Sequence, residues 1–208
     1  MATKQRGRPR SFDRATALEQ AIMAFWEHGY EATSIADLTR TMGIGAPSLY
    51  AAFGDKKALF TAAVEEYGHT YGAFVGRALA EEPTARRGIE RMLREAAVEY
   101  TAPGRPHGCL VISAATNTTE ASADVVASLR EQREANVRAM ERAIEADKAA
   151  GELPDDADPR ALARFAAVAI QGMSQQARDG VSREELEAVA ELALRVWPEA
   201  RAAETVRR

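Results

Sequence analysis

Within the segment TSIADLTRTMGIGAPSLYAAFGDKKAL, residues 33–59, Pro47, Ser48 and Tyr50 fall on the opposite side of a short helical repeat from Leu49 and Phe53. A hydroxyl and a phenol left on the polar side, next to Ala46, are hydrogen-bonding groups of the kind that meet phosphate oxygens or base edges of DNA. Lys56 follows in the first turn of the next helix. An ammonium there gains nothing from the helix dipole but stands close to any phosphate docked at the helix start. Ser34 offers a further hydroxyl upstream. The first fourteen residues carry Lys4, Arg6, Arg8, Arg10 and Arg14, with Gly7 and Pro9 interleaved. That is a cationic arm able to follow phosphates or enter a minor groove.

These groups need two short helices at a fixed angle to hold them. Ser34 followed by Asp37 has capping-box spacing, and Ile35, Leu38 and Met42 then recur on one helical face. Gly43 can take the left-handed conformation that ends a helix, and Pro47 sits where a first-turn proline sacrifices no hydrogen bond. A second helix therefore begins near Ala46, and the pair reads as a helix-turn-helix. An earlier helix from Asp13 to His28, stopped by Gly29, supplies Leu18, Ile22, Phe25 and Trp26 as the apolar stripe against which the pair packs.

Residues 8 to 60 resemble the DNA-binding domain of the TetR family of one-component transcriptional regulators. The matching residues are RPRSFD before the first helix, W-x-x-G-Y-x-x-T-S-I from Trp26 to Ile35, and G-I-G-A-P-S-L-Y-x-x-F-x-D-K-x-x-L from Gly43 to Leu59. The resemblance implies that Lys56 is the family's backbone-contacting lysine. It also implies an all-α fold, with a three-helix N-terminal helix-turn-helix domain followed by a larger helical ligand-binding and dimerisation domain. One position departs from a frequent form of the pattern: the residue before Phe53, often histidine or another polar residue, is Ala52. The expected division is a basic arm over 1–12, the DNA-binding domain over 13–60, the ligand-binding and dimerisation domain over 61–200, and a tail over 201–208. The expected DNA contacts are Ala46, Pro47, Ser48 and Tyr50 in the major groove, with Ser34, Lys56, Arg6, Arg8 and Arg10 on phosphates or a minor groove.

Beyond Phe60 the periodicity predicts helices from Lys56, with Asp55 as its cap, to about Ala80, Thr84 to about Tyr100, Cys109 to about Thr118, Ser122 to Ala150 with Val126, Leu129, Val137, Met140 and Ile144 on its apolar side, Asp158-Pro159 to before Gly180, and Ser182 to about Val196. The last two carry more apolar surface than an edge hairpin needs. Leu162, Phe165, Ala169, Gly172, Met173, Leu186, Val189, Leu192 and Val196 are expected to form a four-helix interface between two copies. A two-fold dimer implies an inverted-repeat operator. Tyr67, Tyr71, Phe74, Met92, Cys109 and Ile112 are candidates to line a cavity for a mostly apolar or aromatic effector. Cys109, the sole cysteine, follows His107-Gly108 at an expected helix start, where a thiolate is stabilised. It resembles the G-C-L element of one branch of the family, so a thiol-based redox or electrophile sensor is the alternative.

The charge distribution agrees with a DNA-facing end. The 208-residue chain has a net charge of −4, yet residues 1–60 balance at +2 and the remainder at −6. Phosphates would attract one end and repel the other. No run of about eighteen apolar residues and no signal-peptide pattern is present, so a cytoplasmic location is expected. A phosphate-cradling glycine loop, a His-Glu-x-x-His helix and a cysteine-rich metal pattern are all missing from the sequence, and His28, His69 and His107 are scattered. Catalysis, a metal and a cofactor are therefore not expected. The expected partners are double-stranded operator DNA, a second copy of the chain and a small-molecule effector.

Overall fold

In a computed structural model, residues 13–116 and 118–198 are described. All regular elements among them are helical: α1 (Arg14–Ala32), α2 (Ile35–Met42), α3 (Ala46–Phe53), α4 (Lys56–His69), α5 (Phe74–Glu81), α6 (Ala85–Tyr100), α7 (Leu110–Ser113), a 3-10 turn (Glu120–Ser122), α8 (Ala123–Ala149), α9 (Pro159–Arg178) and α10 (Arg183–Leu194). No helix among the described residues is long and apolar enough to cross a membrane. The expected arm over 1–12, with Arg6, Arg8 and Arg10, and the tail over 201–208 lie outside the described residues.

Local chemistry sets the N-terminal helices. Asp13 caps α1 by accepting from the backbone of Ala15 and Thr16. The helical path breaks at Gly29, whose φ of 80° is left-handed, and Tyr30 then donates its N–H to the Ala114 carbonyl at 2.8 Å. A Cβ at Gly29 would stand 3.2 Å from that same oxygen, so the glycine permits both the turn and the approach of α1 to α7. Ser34 and Asp37 form the reciprocal capping box of α2. Leu38, Met42, Leu49 and Phe53 are buried with Leu18, Ile22 and Phe25. Phe25 and Tyr30 both pack edgewise on Phe60, with ring centroids 5.0 and 4.9 Å apart.

The larger body stacks α5, α6, α8, α9 and α10 around a second part of one continuous core. Three expectations are corrected here. The single helix expected over 56–80 is two, because the chain leaves α4 after His69: Thr70 has a non-helical φ/ψ of −111°/−95°, and the Gly72 N–H returns to the Tyr67 carbonyl at 2.8 Å. The helix expected over 109–118 is the single turn of α7. On α8 the buried position is Val125 rather than Val126, four residues before buried Leu129.

On α9 and α10 the apolar residues divide between two faces. Phe165, Val168, Val189, Leu192 and Val196 are exposed. Leu162 and Ala169 are half-buried, and Gly172 is open to solvent. Met173 and Leu186, expected at the dimer interface, are each only 1% exposed. They belong to the protomer's own core, since the helical rotation that turns Phe165 and Val168 outward turns Ala163, Ala166, Ile170 and Met173 inward.

Candidate nucleic-acid interface and effector cavity

Pro47, Ser48 and Tyr50 project from α3 into solvent, and Tyr50 is 48% exposed despite its ring. Ala46 is half-buried beside them. The opposite face of α3 is locked by Leu49 and Phe53, and the Arg14 guanidinium sits 4.7 Å above the Phe53 ring. Both ends of α3 are fixed by glycines, with Gly45 as N-cap and the Gly54 N–H bonded to the Tyr50 carbonyl at 2.9 Å. Ser34 lies at the exposed start of α2, where its hydroxyl and backbone engage Asp37. These bonds hold the Asp37 carboxyl below its ordinary value. Ala52 packs against the core, so it faces inward rather than toward a ligand.

Lys56 departs from the simple picture of an ammonium in solvent. Its side chain is half-buried, with Nζ 4.3 Å above the Tyr30 ring and 3.5 Å from the Glu31 carbonyl. Desolvation lowers its pKa. Lys57 instead turns to α8, where it is ion-paired with Asp124. Glu31 accepts from the hydroxyls of Thr119 and Ser122, both at 2.6 Å, and these bonds lower its pKa. The first helices and the body are thus tied together next to Lys56.

A cavity of about 260 Å³ lies inside the body. Tyr67, Phe74, Met92, Cys109 and Ile112 all line it. Tyr71 does not. Its hydroxyl donates to Glu19 on α1, and its ring packs between Trp26 and Arg105. Burial pushes the Tyr71 phenol to about 12. Sequence reasoning missed Tyr100, Gln132, Arg133, Asn136 and Gln171 on the cavity wall. The three on α8 sit at the border between its apolar stripe and its charged face, and the charged run masked them.

Cys109 is placed by tertiary contacts. Its N–H donates to the Ser174 hydroxyl at 2.9 Å, and Gly108, at φ 76°, approaches α9 so closely that a Cβ would stand 2.6 Å from the Ser174 carbonyl oxygen. Burial pushes the Cys109 thiol up, outweighing hydrogen bonds from Tyr67, the Ile112 and Val111 backbone, and Tyr100. The expectation of a stabilised thiolate is therefore corrected: α7 is one turn long, and the sulfur sits in a desolvated site. His107 turns away, with Nδ1 3.2 Å from the Ala177 carbonyl oxygen. Among the described residues no group of three or more His, Cys, Asp or Glu side chains is placed to hold a metal ion.

The cavity and the α3 surface are bridged by packed residues of α1 and α4. Tyr67, on the cavity wall, meets Trp26 of α1 edge-on at 4.9 Å. Tyr67 also belongs to α4, whose first turn carries Lys56 beside α3. The same organisation emerges from comparison with known proteins. Residues 17–63 match the family model of bacterial regulatory proteins of the tetR family, and residues 88–193 match the tetracyclin repressor-like C-terminal domain. The chain belongs to the TetR family. Among TetR-family relatives, it is 38% identical over 197 residues to the HTH-type transcriptional repressor ComR of Escherichia coli (strain K12), covering 94% of each chain. It is 30% identical to the repressor BdcR of the same strain, over 93% of this chain and 95% of that one. A cysteine mutant of the TetR family regulator CifR, complexed with a 26-base-pair operator duplex, superposes with a TM-score of 0.87. Its identity is 43%, over 92% of this chain and all of that one.

Proposed function

We propose that this chain is a dimeric transcriptional repressor of the cytoplasm that binds an inverted-repeat operator and is released by a small molecule with a largely apolar or aromatic body. The observation that carries the reading is that one helix, α4, forms both a wall of the cavity through Tyr67 and the support of the DNA-facing surface through Lys56. The named repressors ComR and BdcR and the operator complex of CifR support the DNA half of the reading.

On DNA, Ala46, Pro47, Ser48 and Tyr50 enter a major groove, while Ser34, Lys56 and the arginines Arg6, Arg8 and Arg10 engage phosphates or the minor groove. Most hydrogen bonds to DNA end on the backbone, so these contacts set register, and the groove-facing group sets sequence preference. For Lys56 to reach a phosphate, its ammonium must leave the Tyr30 ring. Dimerisation uses Phe165, Val189, Leu192 and Val196 with Leu162, Ala169 and Gly172, and Val168 joins them as the most exposed large apolar side chain among the described residues, at 62%. Two recognition helices about 34–36 Å apart then meet successive major grooves. A ligand that binds one tilt of α4 better than another shifts the dimer away from that spacing, and a differential affinity of a few kcal/mol suffices.

The thiol-sensor alternative rests on the presence of Cys109 at the cavity wall, and the raised thiol pKa works against it. The deciding experiment is mobility-shift titration of DNA upstream of the chain's own gene against scrambled DNA, across a salt series. Tight, sequence-dependent binding at two chains per site is expected. Equal, steeply salt-dependent binding to both duplexes would remove the operator-specific reading.

A further inference from the structure

Arg133 sits on the cavity wall from the middle of α8, half-buried. One of its N–H groups donates to the Val111 carbonyl at 2.7 Å. A guanidinium carries five N–H donors and stays charged in any protein environment, so one neutral acceptor leaves most of the fork unused. Its neighbour Glu134 is committed elsewhere, accepting two bonds from Arg164 of α9 at 2.8 and 2.9 Å. Among the described residues no carboxylate lies within ion-pair distance of Arg133.

Other half-buried arginines are treated differently. Arg91 is surrounded by Glu81, Glu82 and Glu95. Arg105 is paired with Glu99. Arg133 makes no ion pair where desolvation works against its charge, and the Glu134 carboxylate, bonded to Arg164, acts on it only beyond ion-pair distance. No Asp or Glu lines the cavity, while the side-chain amides of Gln132, Asn136 and Gln171 do. None of these three amides has a side-chain hydrogen bond to another described residue. The rest of the wall is apolar, built from residues such as Phe74, Met92 and Met140.

We propose that the effector is a small organic monoanion, a carboxylate on an apolar or aromatic body, whose head is held by the Arg133 fork and the neighbouring amides. The inference rests on the reading of the cavity as the effector site. A planar carboxylate matches the guanidinium fork and compensates its desolvation. A single guanidinium among neutral amides suits one negative charge rather than two. The volume of about 260 Å³ is at the small end for ligand sites, which favours a body of one or two rings or a short acyl chain.

The test uses the full-length chain and matched pairs: benzoate and benzamide, 2-naphthoate and 2-naphthamide, hexanoate and hexanamide. Calorimetric titration of the wild type should show at least one carboxylate binding about ten- to a hundredfold more tightly than its amide. That carboxylate should also displace the operator in a mobility-shift assay. Arg133→Gln should bring the carboxylate to the level of the amide while the amide's affinity stays within about threefold. Arg133→Lys, which keeps the charge but loses the fork, should recover part of the preference and guards against a folding defect in the first variant. Amides that bind as tightly as their acids in the wild type would overturn the proposal, as would a preference that survives Arg133→Gln. If amides bind and displace the operator while carboxylates do not, the anion inference fails and the effector reading stands. If neither class binds at millimolar concentration and operator binding is unmoved, both fail.

Discussion

The two short helices α3 and α7 are held in different ways. Around α3 the hydrogen bonds that set the helix ends join close neighbours in sequence, in the Ser34–Asp37 box, the Gly43 and Gly45 turn, and Asp55 accepting from the Ala58 N–H at 2.8 Å, while Leu49 and Phe53 anchor the helix in the core. Around α7 the constraints come from far along the chain: Ser174 on Cys109, Arg133 on Val111, and Ala114 receiving Tyr30. A locally determined surface keeps its shape while the body beneath it moves, which suits a group that must meet DNA in one register. A segment whose position is set largely by distant partners is expected to follow their movement, which would suit the wall of the cavity proposed to take an effector.

The comparison is broken most severely at Gly108. Gly108→Ala puts a Cβ 2.6 Å from the Ser174 carbonyl oxygen at a φ of 76°, combining backbone strain with overpacking. A loss of about 3–5 kcal/mol is expected, seen as a fall in thermal midpoint of roughly 6–20 °C. Tyr50→Ala should do the reverse, lowering operator affinity about ten- to a hundredfold in a mobility-shift titration. Its thermal midpoint and dimer mass should stay put, because Tyr50 is exposed. An unchanged affinity would remove Tyr50 from the interface.

Ser34→Ala removes one half of the capping box and should cost about 1 kcal/mol in urea unfolding. It tests whether local caps alone hold α2. Lys56→Met should lower the slope of log affinity against log salt by about one, with little change in stability because the methionine still covers Tyr30. An unchanged slope would mean that Lys56 stays on the ring when DNA is bound.

The smallest effect concerns pH. Glu31 has its pKa lowered by the hydroxyls of Ser122 and Thr119. A carboxyl with a depressed folded-state pKa contributes stability that is present above its unfolded value and lost as pH falls through the folded one. Glu31→Gln should therefore flatten the acid side of the stability profile below the ordinary glutamate range and leave the neutral side parallel to wild type. Matching acid limbs would show that the bonds to Thr119 and Ser122 do not favour the charged form in solution.

The same division explains what could be read from the chain alone. Caps and glycine turns are neighbours in sequence, so Ser34, Gly43, Asp55, Asp158 and Ser182 mark helix ends that the structure reproduces. The break after His69 was not legible, because it is made by the return of Gly72 onto Tyr67 among residues that tolerate helix. Periodicity finds an apolar face but does not divide it between a protomer's own core and a surface left open. Met173 and Leu186 therefore stood in the same stripe as Phe165 and Leu192. Tyr71 and Arg133 are hard to place from sequence for a related reason, since an aromatic ring suggests a cavity and a charged run suggests solvent. Their partners, Glu19 and the Val111 carbonyl, are 52 and 22 residues away.

The packing of Trp26 on Tyr67 gives the protein an optical handle. The chain holds two tryptophans. Trp26, 1% exposed, has an indole Nε1 without a hydrogen-bond partner and a face against Tyr67. A buried indole emission is expected of it, and it lies between the cavity wall through Tyr67 and the N-terminal helices. With Trp197→Phe removing the second indole, occupancy of the cavity becomes a change in the colour and intensity of a single intrinsic chromophore. The movement proposed to pass from the cavity to α3 would then be visible in the unlabelled protein, with no DNA in the cuvette.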